Sequence, residues 1–165
     1  MSRVRRLILG TAVTAVVATG AAFFSAAPSW RTLPEGTGVV KLSFTHGGAR
    51  NCRQLDAEEL ARLPANMRKR EICDRERAAL RLELDIDGEP ALRAELSPSG
   101  LAGDGPARVY KRFPLGAGDH EIAVRLADTG RADGFDYEAA RRVNLAAEQN
   151  LVIDFRAEQG GFVFN

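Results

Sequence analysis

The sequence predicts a mostly-β fold: one N-terminal transmembrane helix, then an antiparallel β-sandwich of seven to eight strands with a short helix in a disulfide-closed insertion. Three observations predict it. An apolar run follows a basic start, apolar residues alternate with charged ones over most of the remainder, and the 2 cysteines bracket the clearest helix signal in the rest of the chain.

The chain opens "MSRVRRLILGTAVTAVVATGAAFFSAAPSW". Arg3, Arg5 and Arg6 precede a stretch from Leu7 to Ala27 without a charge, which as a helix rising ~1.5 Å per residue covers about 31 Å, a bilayer's hydrocarbon thickness. The positive-inside bias keeps the arginines cytoplasmic and sends residues 31 to 165 across, with Trp30 suited to the headgroup boundary. A cleaved signal peptide shares this layout. Pro28 follows the clearest small-residue cleavage site, after Ala27, and its ring opposes processing there. A retained anchor is therefore expected, with cleavage after Ala22 as the alternative. Gly10, Thr14, Ala18, Ala22 and Ala26 form a stripe of small residues of the kind common in membrane spans. No cysteine adjoins the segment to carry a lipid.

The expected organisation is a membrane anchor at 1–30, a Pro/Gly tether at 31–38 and a β domain at 39–165 with an insertion at 46–79. A tether of that length reaches at most ~28 Å. The formal charge of +1 falls to −2 without the three leader arginines, and no basic stripe alternates with aromatics, so nucleic acid is not an expected partner.

Period-two alternation marks the strands: Val40, Leu42 and Phe44; Leu80 to Ile86; Leu92, Ala94 and Leu96; Ile122, Val124 and Leu126; Val143 and Leu145; Leu151, Ile153 and Phe155; Phe162 and Phe164. Turn signals separate them, which favours a sandwich. In "LRLELDIDGEPALRAEL" a plain Asp87-Gly88 turn sets Leu84 opposite Ala91 and leaves Leu92 and Leu96 wet. An odd loop or a bulge is therefore expected, pairing Leu84 with Leu92 and Leu80 with Leu96.

"LDIDGEPAL", "FPLGAGDHEIAVRL" and "VNLAAEQNLVIDF", over about residues 80 to 156, together resemble the PEGA-type surface domain. That family is a small β-sandwich with a strand-Asp-Gly-x-Pro hairpin, a Pro-Gly turn into a valine-rich strand and a polar turn before its last strand. The insertion, the "SPSGLAGDGPARVYKR" connection and the "GGFVFN" end depart from it, which widens the likeness to an immunoglobulin-like or transthyretin-like architecture. The resemblance implies a non-catalytic surface module and transfers no catalytic residue.

In the insertion, Asp56 reads as a helix N-cap with Glu59 three residues on, Leu60 and Leu63 on one side, and Pro64 as the stop. A helix this short does not persist alone. Export to an oxidising compartment favours a Cys52–Cys73 disulfide, whose loop closure removes roughly 3 kcal/mol of unfolded-chain entropy. The rival reading is copper or zinc held by His46, Cys52, Met67 and Cys73, although no close-spaced ligand pair supports it. Met67 and His46 read more simply as a partial core filler and a turn residue.

No catalytic signature surrounds His46 or His120, and His120 reads as a strand-entry residue. Asp85 and Asp87 suit a wet strand and its turn, "GLAGDG" and "GAGD" are turns, and no cofactor is expected. "ADTGRADGFDYE" gathers Asp128, Asp133, Asp136 and Glu138, oxygen ligands without a calcium-loop spacing. Arg108, Tyr110 and Arg112 are the candidate interaction residues, a cation-aromatic set typical of interface anchors, while Phe162 and Phe164 read as core.

The expectation is thus no enzyme but a non-catalytic periplasmic interaction or assembly module. It is anchored in a bacterial inner membrane by a single span and partnered by a membrane complex, a respiratory one among the candidates. Metal handling through the Cys52/Cys73 set and carbohydrate or cell-surface binding are the alternatives.

Overall fold

The computed structural model describes residues 3–26 and 33–165, so Trp30, the cleavage position after Ala27 and the start of the tether lie outside the described residues. The elements run α1 (Arg3–Ala26), β1 (Thr37–His46), β2 (Arg50–Gln54), α2 (Ala57–Arg62), β3 (Glu71–Arg77), β4 (Leu80–Ile86), β5 (Glu89–Leu96), β6 (Ala107–Gly116), β7 (Gly118–Ala127), β8 (Tyr137–Leu145), β9 (Asn150–Arg156) and β10 (Gly161–Phe164).

Helix α1 buries no residue and has a mean hydropathy of 2.0, long and apolar enough to cross a membrane. Its Thr11 hydroxyl donates to the Leu7 carbonyl at 3.0 Å, so even this polar group is satisfied within the helix.

From Glu35 onward the chain forms a separate unit built on two four-stranded sheets, ordered β10-β9-β1-β6 and β5-β4-β7-β8. Inward-facing residues of both sheets share one core, from Val40, Leu42, Ile153 and Phe155 on the first to Leu80, Leu82, Leu84, Ile122, Val124 and Leu126 on the second. Every buried residue among those with a core role is apolar, and the charged partners of the alternation point outward. Phe162 and Phe164 both pack against this core, as their shared strand face requires.

The sheets are antiparallel except at one pair. β9 lies parallel to β1, with Val39 beside Asn150 and Leu42 beside Ile153, because the late strand returns to the first strand's free side in the same direction. The expectation of a wholly antiparallel arrangement is corrected there.

The β4–β5 hairpin resolves its register by a bulge. Asp87 and Gly88 form a two-residue turn with φ of 54° and 82°, and Asp85 pairs with Pro90. The ladder then shifts, so that Leu84 faces Leu92 and Leu80 faces Leu96, with Ala91 as the extra residue.

Two regions form strands that alternation does not announce. β6 arises within and beyond the "SPSGLAGDGPARVYKR" connection, where Ala107 and Val109 are buried, Phe113 and Leu115 pack half-buried against the core, and the exposed Lys111 interrupts the apolar alternation between them. β2 and β3 form a two-stranded finger inside the insertion, with no buried residue in either.

Candidate interaction surface

Three places concentrate exposed chemistry: the finger, the outer face of β6 with β1, and the loop from Asp128 to Asp136.

The finger leaves β1 at its far end. β1 runs from Thr37, where the chain enters the domain, to His46, and β2 starts at Arg50, so the finger springs from the end opposite the entry point. No residue from 50 to 77 is buried. Its order comes from other sources. Cys52 and Cys73 stand directly opposite each other in the β2–β3 ladder and are joined by a disulfide. At the tip Asp56 accepts from the Glu59 amide at 2.7 Å while the Glu59 carboxylate accepts from the Asp56 amide at 3.2 Å, a complete capping box on α2. Arg53 clamps Glu59 with a two-oxygen contact at 3.0 Å, and that guanidinium holds the Glu59 carboxyl below the usual carboxylate range.

At its root, Arg77 donates to the carbonyls of Gly48 and Asp104, each at 3.0 Å, and Arg75 reaches the Asp104 carboxylate at 3.0 Å. A side chain on Gly48 would sit 2.1 Å from the Ala78 carbonyl, so only glycine lets the two root strands close here. The far end of the finger carries Arg62, Arg68, Lys69 and Arg70 around Met67, which is 61% exposed, with Ile72 nearby in sequence at 45%. Met67 is therefore no core filler, since the insertion has no core to fill.

On the first sheet, Arg108, Tyr110 and Arg112 are alternate, exposed residues of β6 and so share its outer face, opposite Thr45, Ser43 and Lys41 of β1. The structure brings the three predicted residues together. Among the described residues the side chains of Lys41, Arg108 and Arg112 have no hydrogen-bond or ion-pair partner, and Tyr110 is 61% exposed.

The four residues of the metal alternative are not brought together. His46 packs its ring edge-on to Phe155, 4.6 Å between centroids, and its Nε2 lies 2.7 Å from the Asp128 carboxylate. It is a strand residue in the sandwich rather than a turn residue. The only set of three close His, Cys, Asp or Glu donors among the described residues is Cys52, Glu71 and Cys73, and both of its sulfurs are in the disulfide. The residues present therefore do not fit a resident copper or zinc ion while that bond is intact.

In the acid-rich loop Asp136 is bonded internally, whereas the Asp128 carboxylate faces His46. Asp136 accepts from the backbone amides of Asp128 and Thr129 and from the Thr129 hydroxyl, and pairs with Arg131 at 2.9 Å. Burial works against its charge, yet these donors hold its pKa below the usual range. Phe135 from the same loop lies over the outer face of the second sheet, with the guanidinium carbons of Arg81 and Arg125 4.8 and 5.4 Å from its ring centroid. Arg81 also donates to the carbonyls of Ala132 and Gly134, strapping the loop to the sheet. No signal along the chain announces this strap, because a lone aromatic in a polar loop has no periodic partner.

His120 is held between two acceptors. Its Nδ1 lies 2.7 Å from Asp87 of the β4–β5 turn and its Nε2 2.9 Å from the Gly116 carbonyl. A protonated ring donates to both, so the Gly116 contact and then Asp87 raise its pKa, while His120 in turn lowers that of Asp87. This joins two turns at the entry end of the domain. Asp85 in turn accepts from Arg93 and Arg125, so both carboxylates of the hairpin have partners.

No family model, no curated protein and no solved structure matches this chain.

Proposed function

We propose that the protein is a membrane-anchored, non-catalytic interaction module: the N-terminal helix holds a periplasmic β-sandwich at a bacterial inner membrane, and the finger and the β6 face engage a protein partner there. The observation that carries this reading is the finger. A 28-residue segment that adds nothing to the core is nevertheless ordered by a disulfide, a capping box and a triple anchor at Arg77 and Arg75. Order maintained where burial returns nothing is explained by a surface that must hold its shape for contact.

The four-and-four division of the sheets fits the transthyretin-like alternative better than the immunoglobulin-like one, whose constant form divides four and three. The bulged Asp-Gly-x-Pro hairpin is in keeping with the PEGA-type resemblance. The strip of unpartnered cations around Tyr110 supports an anionic or carbonyl-rich contact on the partner. The single apolar helix with its leading arginines supports a cytoplasmic N-terminus and an extracytoplasmic domain.

Photo-reactive residues placed at Met67 and at Tyr110 of the full-length protein in native membranes test this. Each should yield a discrete adduct, the same partner recurring in both. Leu101, fully exposed on a loop, is the control and should yield none. Adducts no different from the Leu101 control would remove the interaction reading.

A further inference from the structure

The four sheet edges of the sandwich are not alike. β5 carries Pro90 and a bulge, β6 carries Pro114 and Lys111, and β10 has four residues. Each is a recognised way of blocking edge pairing. β8 has none of them: it is nine residues long, "YEAARRVNL", without proline, lysine or glycine, and its ladder with β7 runs unbroken from Tyr137 to Leu145.

The hydrogen-bonding phase of β8 is fixed by the strands beneath it. The Asp87 amide donates to the Glu121 carbonyl at 2.8 Å, which turns the odd-numbered backbone groups of β7 toward β4 and the even-numbered ones toward β8. By the β7–β8 register, the odd residues of β8 then bond to β7 and the even ones, Glu138, Ala140, Arg142 and Asn144, present their N–H and C=O to the open edge. The same even residues hold the outer face, while Tyr137, Ala139 and Val143 pack on the core.

Charge rows cross the outer face and end at this edge. Arg93, Glu83, Arg125 and Glu138 lie side by side on β5, β4, β7 and β8, alternating in sign and finishing on a carboxylate with no ion-pair partner among the described residues. Glu121 and Arg142 form a second row that finishes on a guanidinium, held only loosely at 3.7 Å and 88% exposed. One row lacks a cation at the edge and the other has a cation to spare, two strand positions on either side of Ala140.

We propose that the open edge of β8 is a self-pairing interface whose occupant is β8 of a second copy, antiparallel, with Ala140 opposite its own counterpart. That register sets Glu138 against the second copy's Arg142 and Arg142 against its Glu138, so both charge rows continue without a break across the joined sheet. It pairs even residues with even residues, which lets the open N–H and C=O groups bond reciprocally and keeps the two core faces on one side. A shift of two residues either way puts Arg142 against Ala140 or Ala139 against itself and loses both ion pairs. A shift of one carries the core face of one copy into the wet face of the other. Ala139 and Ala140 are small at the two-fold point, and Arg141 between them and Arg142 turns its guanidinium toward Phe164 of β10, 5.8 Å from the ring centroid.

Cysteine cross-linking of the full-length protein in its membrane tests the register. Ala140→Cys, treated with a short thiol-to-thiol linker, should give a dimer band several-fold stronger than Asn144→Cys, which shares the face and edge but lies away from the two-fold point. In the Ala140→Cys background, Glu138→Arg or Arg142→Glu alone should collapse the band by placing like charges together, and the two combined should restore it. An unchanged urea-unfolding midpoint of the sandwich in each variant reports correct folding. Equal cross-linking at 140 and 144, or a double reversal no better than the single ones in folded protein, would overturn the proposal.

Discussion

The finger and the sandwich are stabilised by opposite means. The sandwich buries Leu80, Leu82, Leu84, Leu126 and Ile153 completely and draws its order from apolar area removed from water. The finger, from 50 to 77, buries nothing and relies on a covalent bond, a helix cap and guanidinium anchors. The contrast shows that order and burial are separable within one chain. It also predicts that the two regions respond to different perturbations, each nearly blind to what destroys the other.

The largest effect expected is a cavity in the core. Leu82 of β4 is fully buried, flanked in its sheet by Ala94 and Leu126, and Leu82→Ala should cost about 2–5 kcal/mol of global stability. Urea unfolding followed on the sandwich would read it. A loss below about 1 kcal/mol would mean that the core does not carry the domain.

Next comes the staple. Replacing Cys52 and Cys73 by serine should release roughly 3 kcal/mol of loop-closure stabilisation, but only within the finger. Amide exchange in β2 and β3 should rise by orders of magnitude while the melting midpoint of the sandwich stays in place. If the midpoint fell in step with finger protection, the two regions would be one cooperative unit and the contrast would not hold. A finer cut is Asp56→Ala, which removes one half of the capping box. The expected loss is about 1 kcal/mol, confined to α2 and visible as faster exchange at the amides of Ala57 to Leu60.

The same contrast explains what is legible in the sequence. Burial writes a period, so β1, β4, β7 and β9 can be read from Val40, Leu82, Val124 and Ile153 and their neighbours, and the apolar spacing of Leu84 and Leu92 by itself demands a slip of one residue at the hairpin. Where nothing is buried there is no period. β2 and β3 are therefore invisible in "RNCRQ" and "EICDRER", although the disulfide between them and the cap at Asp56 follow from local chemistry. Arg108, Tyr110 and Arg112 could be placed on one face by their spacing, whereas the absence of any partner for the cations among the described residues is a tertiary fact. The strap at Phe135, the parallel contact of β9 with β1 and the charge rows ending on β8 depend on which strands become neighbours, and alternation along one strand carries no such information.

The smallest effect expected is a pH dependence at the entry end of the sandwich, where polar devices return on the domain otherwise held by its core. His120 donates to the Gly116 carbonyl and to Asp87 only when protonated, and its pKa is raised in the folded state. A group bound more tightly to its proton when folded contributes fully below its unfolded value, ~6.5, and loses that contribution as pH rises through the raised folded value. Asp87 has the opposite sign. Its lowered pKa contributes above the ordinary carboxylate range and is lost as pH falls through the folded value, so the contact is strongest between the two titrations. The melting midpoint should therefore decline modestly from mildly acidic to mildly alkaline pH, and His120→Gln, which keeps one donor at every pH, should flatten that limb. Finger protection should not change over the same range, since residues 50 to 77 include no histidine. An alkaline decline of unchanged slope in His120→Gln would assign the pH dependence elsewhere and leave the two turns joined by shape alone.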